Sequence, residues 1–248
     1  MDLADATWTD VRDAEIDAAF VPVGSTEQHG PHAPLGTDTL NAVAVAEAGA
    51  AAYETETPET QTVAVTPPIP VGVAEEHRAF DGTMWVSPET FRAYVREAAE
   101  SLTQHGIERI VFVNGHGGNV EALAEVARRF SRDDTHAGYG VAFTWFNAVG
   151  EHESEMGHAG ALETALLRAT TPALVREDRI AAAREGAAAR WGEWVAGVNL
   201  AHDSDAFTAN GVVGDPAEGD ADRGTELLTL ASSALAELTV AVVNRETG

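Results

Sequence analysis

A buried strand and a glycine turn meet in the segment Ile110-Val111-Phe112-Val113-Asn114-Gly115-His116-Gly117-Gly118-Asn119. The apolar run over residues 107–113 is typical of a β-strand that is covered on both faces. The glycines then predict a tight turn into a helix at residues 119–130. Because ligands of open parallel sheets bind beyond the carboxyl ends of the strands, His116 is a candidate ligand residue. The alternative is a glycine turn whose histidine caps the helix.

Strand and helix patterns alternate along the rest of the chain. We expect strands at residues 16–23, 62–67, 107–113 and 139–146. We expect helices at residues 38–52, 88–104, 119–130, 160–168, 176–194 and 225–243, with Ser87 capping the second of them. Repeated strand–helix units predict an α/β fold, a single three-layer α/β/α domain over residues 1–248 with a mostly parallel central sheet. The acidic residues 215–223 suggest a surface loop or lid.

The composition is strongly acidic. The formal net charge is −25, from 40 acidic and 15 basic residues, and every basic residue is an arginine. Such a surface repels nucleic acid and anionic lipid, so we expect neither as a partner. Because molar salt screens the self-repulsion of the chain, the composition favours a halophilic source. An acidic protein from a GC-rich genome is the alternative.

Three further features limit the location and the kind of site. The N-terminal segment is acidic and lacks the pattern of a signal peptide. No apolar run of about 18 residues is present, so no transmembrane helix is indicated and a cytoplasmic protein is expected. The sequence contains no cysteine, so any metal ion must be held by His, Asp and Glu side chains.

A second candidate segment follows the first predicted strand and carries Glu27, His29 and Asp38. In an extended backbone, residues two apart project from the same face, so Glu27 and His29 should point together. Gly30 and Pro31 turn the chain, which allows Asp38 to return to the same place. Carboxylate oxygens and imidazole nitrogens are ligands for a divalent cation. The alternative is a polar turn in which Asp38 caps the following helix.

A third candidate segment runs from His158 to Thr164 and opens a predicted helix. Glu163 lies there among apolar residues, where a carboxylate is costly to bury unless it is paired or bound to metal. The alternative is a solvated glutamate and a loop histidine without a special role. All three segments are expected at one edge of the sheet.

Together these segments resemble the creatininase (creatinine amidohydrolase) family. The resemblance also rests on Glu76-His77-Arg78-Ala79-Phe80-Asp81-Gly82-Thr83 and, more weakly, on Gly214-Asp215-Pro216 with Gly224. It implies a two-metal hydrolytic centre that holds Zn²⁺, with Mn²⁺ or Fe²⁺ as alternatives at one site. It also implies a homo-oligomer, often a hexamer.

The resemblance implies a role for each site residue. Glu27 and His116 would bind one ion, His29 and Glu163 would bind the other, and Asp38 would bridge the two. His158 would act as the general acid and base. His77 is a candidate for substrate contact or for support of a ligand, and Gly117 and Gly118 are candidates for substrate binding.

Two departures separate the chain from creatinine-hydrolysing members of the family. Gly118 stands where those members carry a metal-binding glutamate, and Asp81 stands where the family usually has proline. Both features favour the branch with a Gly-His-Gly-Gly-Asn motif. That branch resembles archaeal formamidopyrimidine deformylases and the peptidase of mycofactocin maturation.

The expected function is metal-dependent amide hydrolysis. A metal-activated hydroxide would cleave a non-peptide C–N bond in a small molecule, either a creatinine-like cyclic amide or a formamide. One alternative is deformylation of a formamidopyrimidine nucleotide in flavin or deazaflavin synthesis, for which Arg78 and Arg223 are candidate phosphate contacts. Another is a peptidase for a peptide-derived cofactor. A non-catalytic metal-binding scaffold is the alternative from a different class.

Overall fold

A parallel four-stranded sheet forms the centre of the computed structural model, which describes residues 1–57 and 62–246. Its strands are β1 (Ile16–Val23), β2 (Thr62–Val65), β3 (Arg109–Asn114) and β4 (Tyr139–Thr144), in the order β2-β1-β3-β4. The register between β1 and β3 runs from Ala19 opposite Ile110 to Val23 opposite Asn114. The two central strands therefore end together, and the loops that follow them start side by side.

Helices cover both faces of this sheet. The helices are α1 (Trp8–Asp13), α2 (Thr37–Glu56), α3 (Pro88–Thr103), α4 (Val120–Phe130), α5 (Ala161–Thr170), α6 (Ile180–Glu185) and α7 (Ala221–Val243). Helices α2, α5 and α7 pack on one face, and α3 and α4 pack on the other. The predicted α/β/α layers and the parallel sheet are confirmed. A small antiparallel hairpin of β5 (Trp194–Val195) and β6 (Val198–Asn199) is separate from the sheet.

Alternating side chains of the central strands build the two halves of the core. Phe20 and Val111 face α2, α5 and α7, whereas Val21 and Phe112 face α3 and α4. All four are buried. This two-sided burial explains the continuous apolar runs of β1 and β3, because neither face of either strand meets water.

The capping residues settle one of the alternatives for Asp38. Helix α2 begins at Thr37 after Gly36, and the residue at the cap position makes no side-chain hydrogen bond. The interpretation of Asp38 as a helix cap is therefore wrong, and its carboxylate points elsewhere. At α3 the prediction is confirmed, since the Ser87 hydroxyl accepts a hydrogen bond from the Thr90 N–H at 3.2 Å.

The helix predicted over residues 176–194 is wrong. Only α6 and a 3-10 turn, Glu177–Arg179, are helical there. The Asn210 side chain donates hydrogen bonds to the carbonyls of Ala182 and Ala183, at 3.0 and 2.8 Å, and so occupies the last acceptors of α6. This tertiary contact overrides the helix propensity of the alanine-rich run. The chain then turns and carries Trp191 to the cavity described below.

Helix α7 is long and apolar enough to cross a membrane by length and composition, with a window of mean hydropathy 1.6. No apolar run of about 18 residues was expected, and α7 is the exception among the described residues. In the structure its buried side chains, among them Leu227, Ala231 and Leu235, belong to the core that α7 shares with α2 and α5. The apolar character of the helix thus contributes to the packing of this layer.

Candidate metal centre

The predicted residues come together at the carboxyl end of the sheet, in the loops after β1 and β3 and in the first turns of α2 and α5. Glu27 and His29 lie in the loop after β1, and Asp38 lies in the first turn of α2. His116 follows β3, and Glu163 lies in the first turn of α5. The side chains of this group are all buried: Glu27, His29, Asp38, His116, His158 and Glu163. A buried cluster of carboxylates and imidazoles requires compensation within the site.

The cluster contains two groups of potential ligands that share one residue. Glu27, Asp38 and His116 offer ligand atoms within 4.8 Å of one another, and so do His29, Asp38 and Glu163. The Oδ2 atom of Asp38 lies 3.2 Å from His116 Nδ1, and its Oδ1 atom lies 3.0 Å from His29 Nε2. Each oxygen of Asp38 thus faces a different group, which is the arrangement that a bridging carboxylate needs.

Main-chain carbonyls fix the orientation of both imidazoles. His116 Nε2–H donates to the carbonyl of Val73 at 2.8 Å, and His29 Nδ1–H donates to the carbonyl of Glu27 at 3.1 Å. Because a carbonyl oxygen only accepts, the other nitrogen of each neutral ring directs its lone pair at the carboxylates. Such an N–H to carbonyl contact is typical of histidines that bind metal ions.

The carboxylates have the unsatisfied atoms that a cation would compensate. Both Glu27 oxygens and Asp38 Oδ2 are buried and make no hydrogen bond of good geometry among the described residues. Their nearest nitrogens are imidazole atoms of His116, at 3.2 Å from Glu27 Oε1 and from Asp38 Oδ2, and of His77, at 3.3 Å from Glu27 Oε1. A buried carboxylate without hydrogen bonds costs roughly several kcal/mol unless a positive charge compensates it. The two groups of O and N donors therefore fit a pair of divalent ions such as Zn²⁺ or Mn²⁺.

Without a cation, protons take part of this compensating role. Burial raises the pKa of Glu27 to about 7. Burial by itself lowers the pKa of His29, but the carboxylates of Asp38 and Glu163 outweigh it and raise that pKa well above its usual value. The pKa of His116 is raised in the same way by Glu27 and Asp38. Metal binding to these groups would displace protons.

His158 lies beside the two groups and is held as a neutral base. Its Nε2–H donates to the carbonyl of Gln28 at 2.7 Å, and its Nδ1 lies 3.7 Å from Glu27 Oε1. Burial, aided by the positive charge of His29, holds the pKa of His158 well below its usual value. Glu27, His29 and His158 also offer ligand atoms within 4.8 Å of one another. The geometry is compatible with a proton carrier and also with a ligand.

The residue after His158 shows local backbone strain. Ala159 adopts a positive φ of 52°, which is unfavourable for a residue with a Cβ. Its N–H donates to Glu163 Oε2 at 2.5 Å and leaves the other oxygen of that carboxylate 3.8 Å from His29 Nε2. The strained turn thus fixes the orientation of Glu163.

His77 and Gln28 are hydrogen-bonded to each other next to the candidate metal centre. His77 is fully buried, and its Nδ1 accepts a hydrogen bond from the Gln28 amide at 2.9 Å. Its Nε2–H consequently faces Glu27 Oε1 at 3.3 Å. The Ser204 hydroxyl also lies 3.0 Å from His77 Nδ1. His77 was among the predicted site residues, whereas Gln28 and Ser204 were not. The position of Gln28 between the predicted ligands Glu27 and His29 was the one sign in the sequence that Gln28 belongs to the site.

His32 lies outside the set of predicted ligands, yet it is fully buried. Its Nε2 lies 3.0 Å from Thr164 Oγ1 and so connects the loop after β1 to α5. Burial lowers the pKa of His32 to about 4.

The asparagines of the Gly-His-Gly-Gly-Asn motif hold its loop in place. Asn114 donates to the His116 carbonyl at 2.8 Å and accepts from the His116 N–H at 3.1 Å. Asn119 donates to the Gly24 carbonyl and accepts from the Val73 N–H, both at 3.0 Å. Sequence reasoning missed both residues, although they flank the glycine motif. They fix the loop after β3 to the loops after β1 and β2.

Gly118 has no room for a side chain. A Cβ at this position would overlap the Val73 carbonyl oxygen and His116 Nε2. A glutamate at position 118 is therefore incompatible with this arrangement of the loops. The carboxylate that accompanies His29 and Asp38 comes from Glu163 on α5 instead.

A cavity of about 370 Å³ opens onto the cluster. The residues that line it are Glu76, His77, His116, Gly117, Gly118, Phe146, Met156, Gly157, His158, Glu163 and Trp191. The two candidate phosphate contacts lie outside this lining. Arg78 pairs with Glu75 and Asp203, and Arg223 pairs with Glu155.

Sequence comparison places the chain among known hydrolases. A family model described as creatinine amidohydrolase matches residues 4–239. A mycofactocin precursor peptide peptidase of Mycobacterium ulcerans is 36% identical over 209 residues, which cover 84% of this chain and 78% of the relative. A creatinine amidohydrolase of Pseudomonas putida is 27% identical over 182 residues, which cover 65% of this chain and 67% of the relative.

Structural comparison supports the same fold. A Bacteroides fragilis protein described as a creatinine amidohydrolase superposes with a TM-score of 0.84 at 23% identity, covering 99% of this chain and 97% of its own. A creatininase structure named for manganese gives a TM-score of 0.76 at 21% identity, covering 98% and 99%. At these identities the likeness shows the fold, and the chemistry must come from the residues of this chain.

Proposed function

This chain belongs to the creatininase family and is a hydrolase of carbon–nitrogen bonds, and we propose that it is a metal-dependent amidohydrolase acting on a small, phosphate-free amide. The observation that carries the proposal is the pair of ligand groups that share Asp38. Their buried carboxylate oxygens make no hydrogen bond of good geometry among the described residues, and a cation bound between them would compensate their charge.

Each residue of the two groups has a proposed task. Glu27 and His116 would hold one ion, His29 and Glu163 would hold the other, and Asp38 would contact both. When bound there, two divalent ions would acidify a water molecule and polarise the carbonyl of the amide. Zn²⁺ suits this donor set, and Mn²⁺ or Fe²⁺ are alternatives at one site.

His158 is the proposed proton carrier. Because its Nε2–H is given to the Gln28 carbonyl and its pKa is held low, its Nδ1 is unprotonated at neutral pH. It would accept a proton from water and deliver it to the leaving nitrogen, a role generally worth about 10²–10⁴-fold in rate. Gly117 and Gly118 line the same cavity, and we assign their N–H groups to the developing oxyanion.

The cavity argues against a nucleotide substrate. None of the described residues that line it is an arginine, and the chain has no lysine. Arg78 and Arg223 are engaged in ion pairs elsewhere. A phosphate group would therefore find no basic side chain in the lining to pair with. This disfavours the formamidopyrimidine nucleotide among the expected substrates and leaves cyclic amides, simple formamides and short peptides.

A peptidase that acts on a short peptide is the second candidate function. The observation in its favour is the 36% identity to a mycofactocin precursor peptide peptidase over most of both chains. A hydrolysis screen with the metal-reconstituted protein in molar KCl should include creatinine, formamides and short peptides. Turnover of a peptide alone would select this candidate.

The test of the proposed mechanism is the variant His158→Ala. We expect it to keep its bound metal and to lose about 10²–10⁴-fold in kcat, because only proton transfer is removed. Elemental analysis and turnover measured on the same sample give both readouts. His202→Ala is the matched control, since His202 is exposed and is not among the residues that line the cavity.

Loss of metal from His158→Ala would make His158 a ligand and would refute its role as proton carrier. A wild-type protein that binds no divalent ion after purification in high salt would favour the non-catalytic scaffold.

We further propose that residues 1–248 form one catalytic domain, that the protein is cytoplasmic, and that it forms a homo-oligomer of the kind known in the family, with a hexamer as the first candidate.

A further inference from the structure

Glu76 is the one carboxylate lining the cavity that the proposed metal groups do not use. It lies in the 3-10 helix Glu75–His77, and its side chain is 23% exposed. Its Oε1 lies 3.9 Å from His116 Nε2, but that N–H is already donated to the Val73 carbonyl at 2.8 Å. Its carboxylate therefore lacks a strong protein partner among the described residues.

The surroundings of Glu76 leave its carboxylate accessible from the cavity. Glu76 lines the cavity together with Gly117 and Gly118, and its side chain keeps part of its surface exposed there. Phe146, Met156 and Trp191 supply apolar lining to the same cavity. A bound molecule that reaches the glycine turn would therefore meet the Glu76 carboxylate beside apolar side chains, apart from the residues proposed to hold metal.

From this arrangement, and on the basis of the proposed amidohydrolase function, we propose that Glu76 binds a cationic nitrogen group of the substrate, an ammonium or amidinium close to the scissile amide. A charge-assisted hydrogen bond is stronger than a neutral one and would compensate the partly buried carboxylate. The arginine-free lining favours the same substrate class and repels anionic groups. The apolar side chains would contact the hydrocarbon part of such a substrate.

Benzamidine and benzamide form a matched pair of probes, because they have nearly the same shape and only benzamidine is cationic at pH 7.5. Their affinities for the zinc-loaded protein can be measured by calorimetry in 1 M KCl. We expect the wild type to bind benzamidine at least about 10-fold more tightly than benzamide. The variant Glu76→Gln should lose this preference and keep its zinc content. Glu75→Gln is the control, since Glu75 is exposed and pairs with Arg78.

Equal affinity of the wild type for the two probes would overturn the proposal, and so would a preference that survives in Glu76→Gln. A drop in zinc content of Glu76→Gln would also overturn it, because Glu76 would then act by supporting His116. The binding measurement does not depend on turnover. A protein that shows the preference but hydrolyses no amide would refute the amidohydrolase function and leave the assignment of Glu76 intact.

Discussion

Single residues determine the electrostatics of the site through burial. Asp38 is buried, and each of its oxygens faces a different imidazole, so the pKa of its carboxyl is held far below the usual range by His29 and His116. His158 and His32 show the opposite case, since burial keeps both imidazoles neutral. Residues of the same type therefore differ in charge within one small volume.

His32 should make the fold sensitive to acid. Its pKa of about 4 in the folded protein lies below the usual 6.5, so the unfolded chain binds the proton more readily. The stability that neutral His32 contributes is then complete above about pH 6.5 and is lost as the pH falls towards 4. The shift corresponds to at most about 3 kcal/mol.

Urea unfolding of the wild type and His32→Gln at pH 7 and pH 4.5 measures this contribution. We expect the stability advantage of the wild type to shrink by about 2–3 kcal/mol at the lower pH. His202→Gln should show no such change, because His202 is exposed. An advantage of His32 that is equal at both pH values would contradict the assignment.

At the scale of elements, periodicity predicts the layers well because they depend on burial alone. Strand β1 was predicted with its observed bounds, and the runs that became β3 and α4 were located within two residues. Their apolar side chains pack against helices that cover the sheet in almost any α/β fold. The sequence motifs also located the six residues of the candidate centre, because loops after parallel strands gather at one edge.

The elements that were missed depend on distant contacts. The false helix over residues 176–194 is replaced by α6 and a loop because Asn210, remote in sequence, binds the last carbonyls of α6. The buried state of His77 depends on Gln28 and Ser204, which come from two other loops. A local pattern contains no record of such partners, so neither feature could be read from it.

At the scale of the whole molecule, the net charge of −25 governs stability. Repulsion among surface carboxylates opposes the compact state, and the Debye length falls from about 10 Å at 0.1 M salt to about 3 Å at 1 M. About half of the arginines form ion pairs with acidic side chains among the described residues, for example Arg168 with Glu177 and Arg184 with Asp215. Added salt should thus relieve repulsion more than it weakens attraction.

We therefore predict that the melting temperature rises by about 5–10 °C between 0.1 M and 2 M KCl, corresponding to a few kcal/mol. Thermal unfolding at a fixed zinc concentration measures the shift. Sucrose at the same osmolality is the control, because it favours compact states without screening charge. A melting temperature that does not respond to KCl would refute the halophilic interpretation of the composition.

The central claim is a centre in which Asp38 is shared by two ions. Its most direct test is the ratio of metal to protein after reconstitution with zinc and gel filtration in molar KCl. We expect about two ions per chain in the wild type, about one in Glu163→Ala and almost none in Asp38→Ala. A wild type without bound zinc, or a Glu163→Ala variant that binds as much zinc as the wild type, would contradict it.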